Sequence, residues 1–193
     1  MKLANLAIPF VAALVLVLGG CSKQDAPDKA AASKPAQPYE AVASQGKGFT
    51  VGAMMSAHAV YVLFDPQCPH CGHLWEASLP LHNKVKFVWI PVAIINATSA
   101  TQGAALLSAA NPAALMAEHE KSILAGTGGI AASASVAPDL AQAIKKNTQL
   151  FSSLGVESVP FILAKNIRSG QVVTNEGALA TPALAEFLGV DQP

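Results

Sequence analysis

The run AVYVLFD, beginning at Ala59, is apolar, β-branched or aromatic at nearly every position and leads straight into PQCPHCGHLW. Continuous rather than alternating hydrophobicity predicts a central strand covered on both faces. Pro69 has no N–H to donate and a φ preset for a helix, so it fits the first helical position, which puts Cys68 at the N-cap. The helix continues through GHLWEASL and stops before Pro80. KVKFVWIPVAI, Lys84 to Ile94, then predicts a second buried strand. Strand, helix and strand in that order make a βαβ unit and place the chain in the α/β class.

Residues 98–155 change character: Ala-rich stretches with apolar residues at helical spacing replace the strand signals. Leu140, Ile144, Phe151 and Leu154 share one face of a helix, with Gly155 as its C-cap. Asn111–Pro112 marks another helix start, with Pro112 at the first helical position, and Gly126–Gly129 is a turn. This block is expected to be a helical insertion. Strand signals return at VPFILAK, Val159 to Lys165, and at QVVTN, Gln171 to Asn175, joined by a hairpin turn at Arg168–Gly170. Thr181 and Pro182 are read as N-cap and first-turn residues of a last helix that ends near Leu188. The expected order is βαβ, helices, ββα.

The chain has 193 residues and no formal net charge. One domain of ordinary size fits that length. A neutral chain has no electrostatic reason to bind nucleic acid or an anionic lipid surface. At the N-terminus, Lys2 precedes an apolar run from Leu6 to Gly20, which is short of the roughly 20 residues of a spanning helix and fits a signal peptide. It ends in LGGC, which resembles the lipobox of bacterial lipoproteins, so residues 1–20 are expected to be the leader and Cys21 the lipidated residue. Ser22 behind it resembles the outer-membrane sorting pattern. The Ala-, Pro-, Ser-, Gln- and Lys-rich stretch that follows cannot bury enough surface to fold. Residues 21–45 are read as lipidated cysteine and flexible linker, with the folded domain, 46–193, starting near Gly46. An exported chain meets conditions in which disulfides persist. With Cys21 carrying lipid, Cys68 and Cys71 remain as a pair.

At a helix N-cap, free N–H groups and the positive dipole end favour a thiolate at Cys68. Cys71 lies one turn on, on the same face, with Cβ atoms roughly 5–6 Å apart, so a small adjustment reaches disulfide distance. In such motifs the first thiol titrates at about 3.5–7.5, and His70 beside it can donate a hydrogen bond or add a positive charge. The expected chemistry is attack by Cys68 on a partner sulfur, then resolution by Cys71. Two other readings are weaker. Structural zinc normally takes four ligands, and only one cysteine pair is available. A structural disulfide closing so short a loop constrains little of the unfolded chain. Neither cofactor nor metal is expected beyond the cysteine pair itself.

FDPQCPHCGHLW after a buried strand, with SVPFIL opening a later one, resembles a thioredoxin-fold oxidoreductase. More narrowly, residues about 58–190 resemble the catalytic domain of periplasmic thiol:disulfide interchange proteins of the DsbC/DsbG type. The DsbG branch is closer, through DPQCPHC, KVKFVWIPVAI, the Ala-rich insertion and the stretch from Asn147 to Pro160. The resemblance implies a cis-proline at Pro160 lying against the cysteine pair, with the backbone of Val159 pairing with a substrate peptide. It also implies a periplasmic location, protein thiols and disulfides as partners, and an inner-membrane redox partner. The chain departs from the pattern twice. Classical thioredoxins carry a buried acid six residues before the first cysteine, where this chain has Val62. Asp65 lies past the strand, where Asp-Pro sets a turn, so the base for Cys71 is unassigned or is water. The dimerising N-terminal domain of the family has no counterpart ahead of the catalytic strand, which predicts a lipid-tethered monomer and weakens the case for isomerase activity.

Trp75, Phe87 and Trp89 are expected in the core, Met54 and Met55 in packing, and Glu76 in solvent. His58, His82 and His119 are assigned structural or surface roles. Two classes of function remain: a thiol:disulfide oxidoreductase of unstated direction, or a non-enzymatic chaperone or metal-delivery lipoprotein using the same thiols.

Overall fold

The structure, a computed structural model, describes residue 35 and residues 37–193. The leader, Cys21 and the first part of the linker lie outside the described residues. The described chain opens with helix α1 (Pro38–Gln45), followed by strands β1 (Phe49–Gly52) and β2 (Ala59–Phe64) and helix α2 (Pro69–Ser78). A short turn of 3₁₀ helix leads to β3 (Lys86–Pro91), then to three helices, α3 (Ala97–Ser108), α4 (Pro112–Leu124) and α5 (Pro138–Ser153). Strands β4 (Phe161–Lys165) and β5 (Val172–Glu176) and helix α6 (Thr181–Leu188) complete it.

The strands form one sheet in the order β1-β3-β2-β4-β5. β2 and β3 are parallel, with Val62 opposite Trp89, and β4 lies antiparallel on the other side of β2, with Val62 opposite Ile162. The parallel pair is the βαβ unit expected from the sequence. β2 is buried on both faces because its residues alternate between two cores. Val60, Val62 and Phe64 meet Leu74 and Trp75 of α2, Phe87, Trp89, and Leu184 and Leu188 of α6. Leu63 meets Ile90, Phe161 and Leu163 with Leu150, Phe151 and Leu154 from the α5 side. Edge-to-face contacts join Trp89 to Phe64 at 5.5 Å and to Trp75 at 5.3 Å.

Three expectations are corrected. The linker does not run to residue 45: Pro38–Gln45 is a helix whose Tyr39 and Val42 are buried in the second core. Two apolar side chains a few residues apart suffice to seat a helix of about two turns against the core, even in a polar-looking segment. β1, four residues long, pairs antiparallel with β3, whereas the stretch before Ala59 gave no strand signal. Met54 and Met55, expected in packing, are exposed in the loop after β1, Met55 almost completely. Small boundary shifts also occur: Thr181 is the first helical residue rather than the cap, and its hydroxyl donates to the Ala77 carbonyl.

Candidate functional site

The site is built at the carboxyl end of β2, where the strand turns into α2. Asp65, first residue of that turn, is fully buried. Its carbonyl accepts the Cys68 N–H at 3.0 Å and its Oδ1 accepts the Gln67 N–H at 2.8 Å. The same carboxylate accepts the Ser99 hydroxyl at 2.6 Å and the Ile94 and Ile95 N–H groups at 2.7 and 3.0 Å. Asp65 therefore clamps the β2–α2 turn to the β3–α3 loop, and its oxygens are fully engaged. Position 62 is a fully buried valine, so no acid points from the strand.

Cys68 is the N-cap residue, with extended φ/ψ, and Pro69 follows at the first helical position. The Cys68 sulfur takes the place of a capping oxygen: the Cys71 N–H donates to Sγ at 3.3 Å. Both cysteines are free thiols, and their surroundings differ. Cys68 keeps 4% of its surface exposed, Cys71 none. The Cys68 thiol is shifted down, first by the hydrogen bond from the Cys71 thiol and then by the backbone N–H groups of Cys71 and His70, against the opposing effects of burial and the Asp65 charge. Cys71 is pushed well above its ordinary value, chiefly by burial, then by its hydrogen bond to Cys68 and the charges of Cys68 and Glu120. His70 acts on Cys68 through its backbone; its ring is exposed and lies 6.4 Å from the His73 ring.

The peptide bond between Val159 and Pro160 is cis, and the Cys68 thiol lies 3.5 Å from the Val159 carbonyl. Residues 91 apart in sequence meet because β4, which begins at Phe161, pairs with β2 where β2 ends: Phe161 stands opposite Leu63.

Three residues that the sequence reading left unassigned to the site lie against it. His119 on α4 is fully buried; its Nε2 donates to the Pro66 carbonyl at 2.7 Å and its Nδ1 accepts the Ile130 N–H at 3.2 Å. Burial holds this ring neutral by lowering its pKa, against the smaller opposing effects of the Pro66 carbonyl and Asp65. Gln102 on α3 donates to the carbonyls of Gly128 and Ile130 and accepts from the Gln67 amide. Gly129 has φ +85°, and a Cβ there would come within 2.5 Å of the His119 ring, so the glycine lets this bracket close. Glu120, next along α4, is 1% exposed, and neither carboxylate oxygen has a hydrogen-bond partner among the described residues. The signal was present in the sequence: Met116, His119, Glu120 and Ile123 occupy the buried face of α4 at helical spacing.

No cluster of three or more His, Cys, Asp or Glu side chains able to hold a metal occurs among the described residues. The other residues weighed fall in ordinary places. Trp75 is buried in the core, Glu76 and His58 are exposed, and the His82 ring shares a hydrogen bond with Ser78.

No family model matches the chain. Among curated proteins it is 31% identical over 140 residues to the thiol:disulfide interchange protein DsbG of Pseudomonas aeruginosa, covering 72% of this chain and 54% of that one. It is 30% identical over 105 residues to the protein of the same name from Escherichia coli, covering 53% and 42%. The chain thus spans about half the length of the curated relatives it matches. Among solved structures, the catalytic domain of Proteus mirabilis ScsC superposes with TM-score 0.60 at 18% identity, covering 78% of this chain and 92% of that domain. A disulfide interchange protein from Neisseria gonorrhoeae gives TM-score 0.56 at 19% identity, covering 74% and 93%. Sequence kinship and fold agree: the chain is similar in sequence to DsbG and has a thioredoxin-like fold.

Proposed function

We propose that the domain is a thiol:disulfide oxidoreductase that exchanges disulfides with protein substrates through Cys68 and Cys71. The observation that carries this reading is the asymmetry of the pair. One thiol is shifted down at a helix N-cap with a small exposed face, and its neighbour is fully buried and shifted up. Such a pair divides the labour: the first sulfur attacks and leaves readily, the second acts only within the protein.

In the reducing direction the Cys68 thiolate attacks one sulfur of a substrate disulfide. That S–S bond breaks, the other substrate sulfur leaves with the electron pair, and a Cys68–substrate mixed disulfide forms. Cys71, losing its proton, then attacks Cys68 Sγ, closes the Cys68–Cys71 bond and releases the reduced substrate thiolate. The oxidising direction is the reverse sequence, and isomerisation is an attack and release at Cys68 with no net change. Pro69 holds Cys68 at the cap, Pro160 covers the pair, and the backbone of Val159 is the place where an extended substrate strand pairs. His70, with its exposed ring at the mouth, faces the incoming chain.

The leader and the lipobox-like LGGC support export to the periplasm with Cys21 as a lipid anchor, slightly favouring the outer membrane. A membrane redox partner would then reset the pair after each cycle.

The test is a trap made in the full chain. Cys71→Ala should accumulate mixed disulfides with exported proteins through Cys68, and Cys68→Ala should lose both trapping and turnover. A Cys68→Ala protein that still suppresses aggregation, beside a Cys71→Ala protein that traps nothing, would replace this reading with a chaperone. The reduction potential, equilibrated against glutathione, gives the direction. A value near about −120 mV marks an oxidant, and one well below about −180 mV a pair kept reduced for isomerisation or repair.

A further inference from the structure

The proposed exchange leaves one proton without an owner. Cys71 is fully buried, the strand position that would carry an acid is Val62, and the oxygens of Asp65 are held by four hydrogen bonds. Cys71 has no exposed surface, so the proton that it loses and regains passes through the protein interior.

Glu120 is a buried acid packed against the active-site helix. Its carboxyl is 1% exposed and neither oxygen is hydrogen-bonded. It comes from α4, which packs on α2, and it arrives at the residue next to Cys71. A Cβ on Gly72 would lie 2.9 Å from Glu120 Oε2. The missing side chain at position 72 is the space the carboxyl fills, which accounts for a glycine inside an active-site helix. An unpartnered buried carboxyl costs stability, so its place against the active-site helix, at the residue after Cys71, points to a use.

We propose that Glu120 is the proton partner of Cys71, giving a proton to the Cys71 sulfur when the Cys68–Cys71 bond breaks and taking it back when Cys71 attacks Cys68. This rests on the disulfide-exchange reading above. When a substrate thiolate attacks Cys68 Sγ, the Cys68–Cys71 bond breaks and its electron pair moves to Cys71 Sγ. The Glu120 O–H proton follows it, leaving a neutral thiol and a carboxylate. In the resolving step the carboxylate accepts the Cys71 proton, Cys71 Sγ bonds to Cys68 Sγ, and the substrate sulfur leaves with the electron pair.

The surroundings set the timing. Burial, followed by the charges of Cys68 and Glu76, lifts Glu120 to about 9, out of the ordinary carboxylate range and toward that of Cys71, which burial also raises. A Cys68 thiolate keeps Glu120 protonated; in a mixed disulfide that charge is gone and the carboxyl ionises more easily. The groups that act on it are Glu76 on α2 and Cys68 at its cap, and it acts in turn on Cys71. On α4 itself His119 is turned to Pro66, while Glu118 and Lys121 are exposed. α3 and β1, which also pack on α4, carry no ionisable side chain.

The experiment is acid-quenched single turnover of the full reduced chain with a peptide disulfide, from pH 6 to 9, for wild type, Glu120→Gln and Glu120→Asp. Mixed-disulfide formation in Glu120→Gln should stay within about twofold of wild type. Resolution should slow by about 10- to 100-fold at pH 7, the low end of what a positioned acid–base group supplies. It should also become proportional to hydroxide, with Glu120→Asp recovering part of the loss. Equal resolution rates and equal pH profiles in Glu120→Gln and wild type would overturn the assignment while leaving disulfide exchange intact. A wild type that forms no mixed disulfide at all overturns the exchange reading, and this assignment with it. If Glu120→Gln fails to fold, the wild type alone decides through its reduced-minus-oxidised infrared difference spectrum. A protonated-carboxyl band that changes with redox state, at a position moved by labelling glutamate, supports the role; a spectrum without one refutes it.

Discussion

Replacing Glu120 by glutamine should change how stability depends on pH more than it changes stability at any one pH. In the unfolded chain this carboxyl titrates at its ordinary value of 4.5, and in the fold at about 9. The folded value is raised, so the sign is fixed. Below pH 4.5 both states hold the proton and nothing is lost. Between 4.5 and about 9 only the folded state holds it, and stability falls as pH rises. Each pH unit in that window costs the fold about 1.4 kcal/mol, which accumulates to about 3 kcal/mol at pH 7. Because Glu120 is almost wholly buried, solvent screening takes little from this figure. Glutamine keeps the shape and removes the titration. Urea unfolding of the reduced full chain at pH 5, 6, 7 and 8 is the assay. The offset at pH 5 absorbs the cost of burying an amide, and the slope is the readout. With a urea dependence of about 2 kcal/mol per M, the midpoint of Glu120→Gln relative to wild type should move up by about 0.7 M per pH unit. Parallel curves for the two proteins would mean that Glu120 is ionised in the fold, and would remove the physical basis for its role as an acid.

Other consequences follow from the bracket around the site. Asp65→Ala orphans the N–H groups of Gln67, Ile94 and Ile95 and the Ser99 hydroxyl. It should cost roughly 3–5 kcal/mol in urea unfolding, and a loss under about 1 kcal/mol would show that the clamp is dispensable. His119 has a folded pKa depressed by burial, so its contribution is complete above 6.5 and is lost as pH falls below it. His119→Gln should flatten that acid limb relative to wild type, while His82, shifted the same way by burial, remains in both. A chain begun at Gly46 loses the buried side chains of Tyr39 and Val42 and should be less stable by roughly 3 kcal/mol. Equal stability with and without residues 38–45 would make α1 an accessory.

The parts of this fold legible in the sequence were those with a strong local signal. Ala59–Phe64 reads as a strand because every position is buried or nearly so, and Pro69 fixes both the start of α2 and the place of Cys68. What was not legible depended on few residues or on distant ones. α1 rests on two side chains in a segment whose composition is that of a linker. β1 is four residues long and becomes a strand only because the edge of β3 offers it partners. Met54 and Met55 look like core by residue type, but the loop that carries them turns away from both cores. Glu120 was the costliest omission, and His119 was assigned only a structural or surface role. On a helix whose buried face also holds Met116 and Ile123, two ionisable residues at apolar positions were a readable anomaly. Their meaning was not readable, because nothing in the local sequence tells that α4 packs on α2.

That packing changes what the helical block between β3 and β4 is for. It is the source of His119, which holds the Pro66 carbonyl, of Gln102, which holds Gln67, and of Glu120, which reaches the residue beside Cys71. The strand supplies the cysteines with position, and the inserted helices supply them with rigidity and a proton. A fold that carries its acid on the central strand ties that acid to the sheet, whereas here the acid rides on a separate helix. The proton inventory of the cysteine pair can then change without disturbing β2, β3 or the cis-Pro160 turn. Substitutions at the α2–α4 contact, at Gly72 or Leu124 for example, should alter the resolving step while leaving the attack by Cys68 in place.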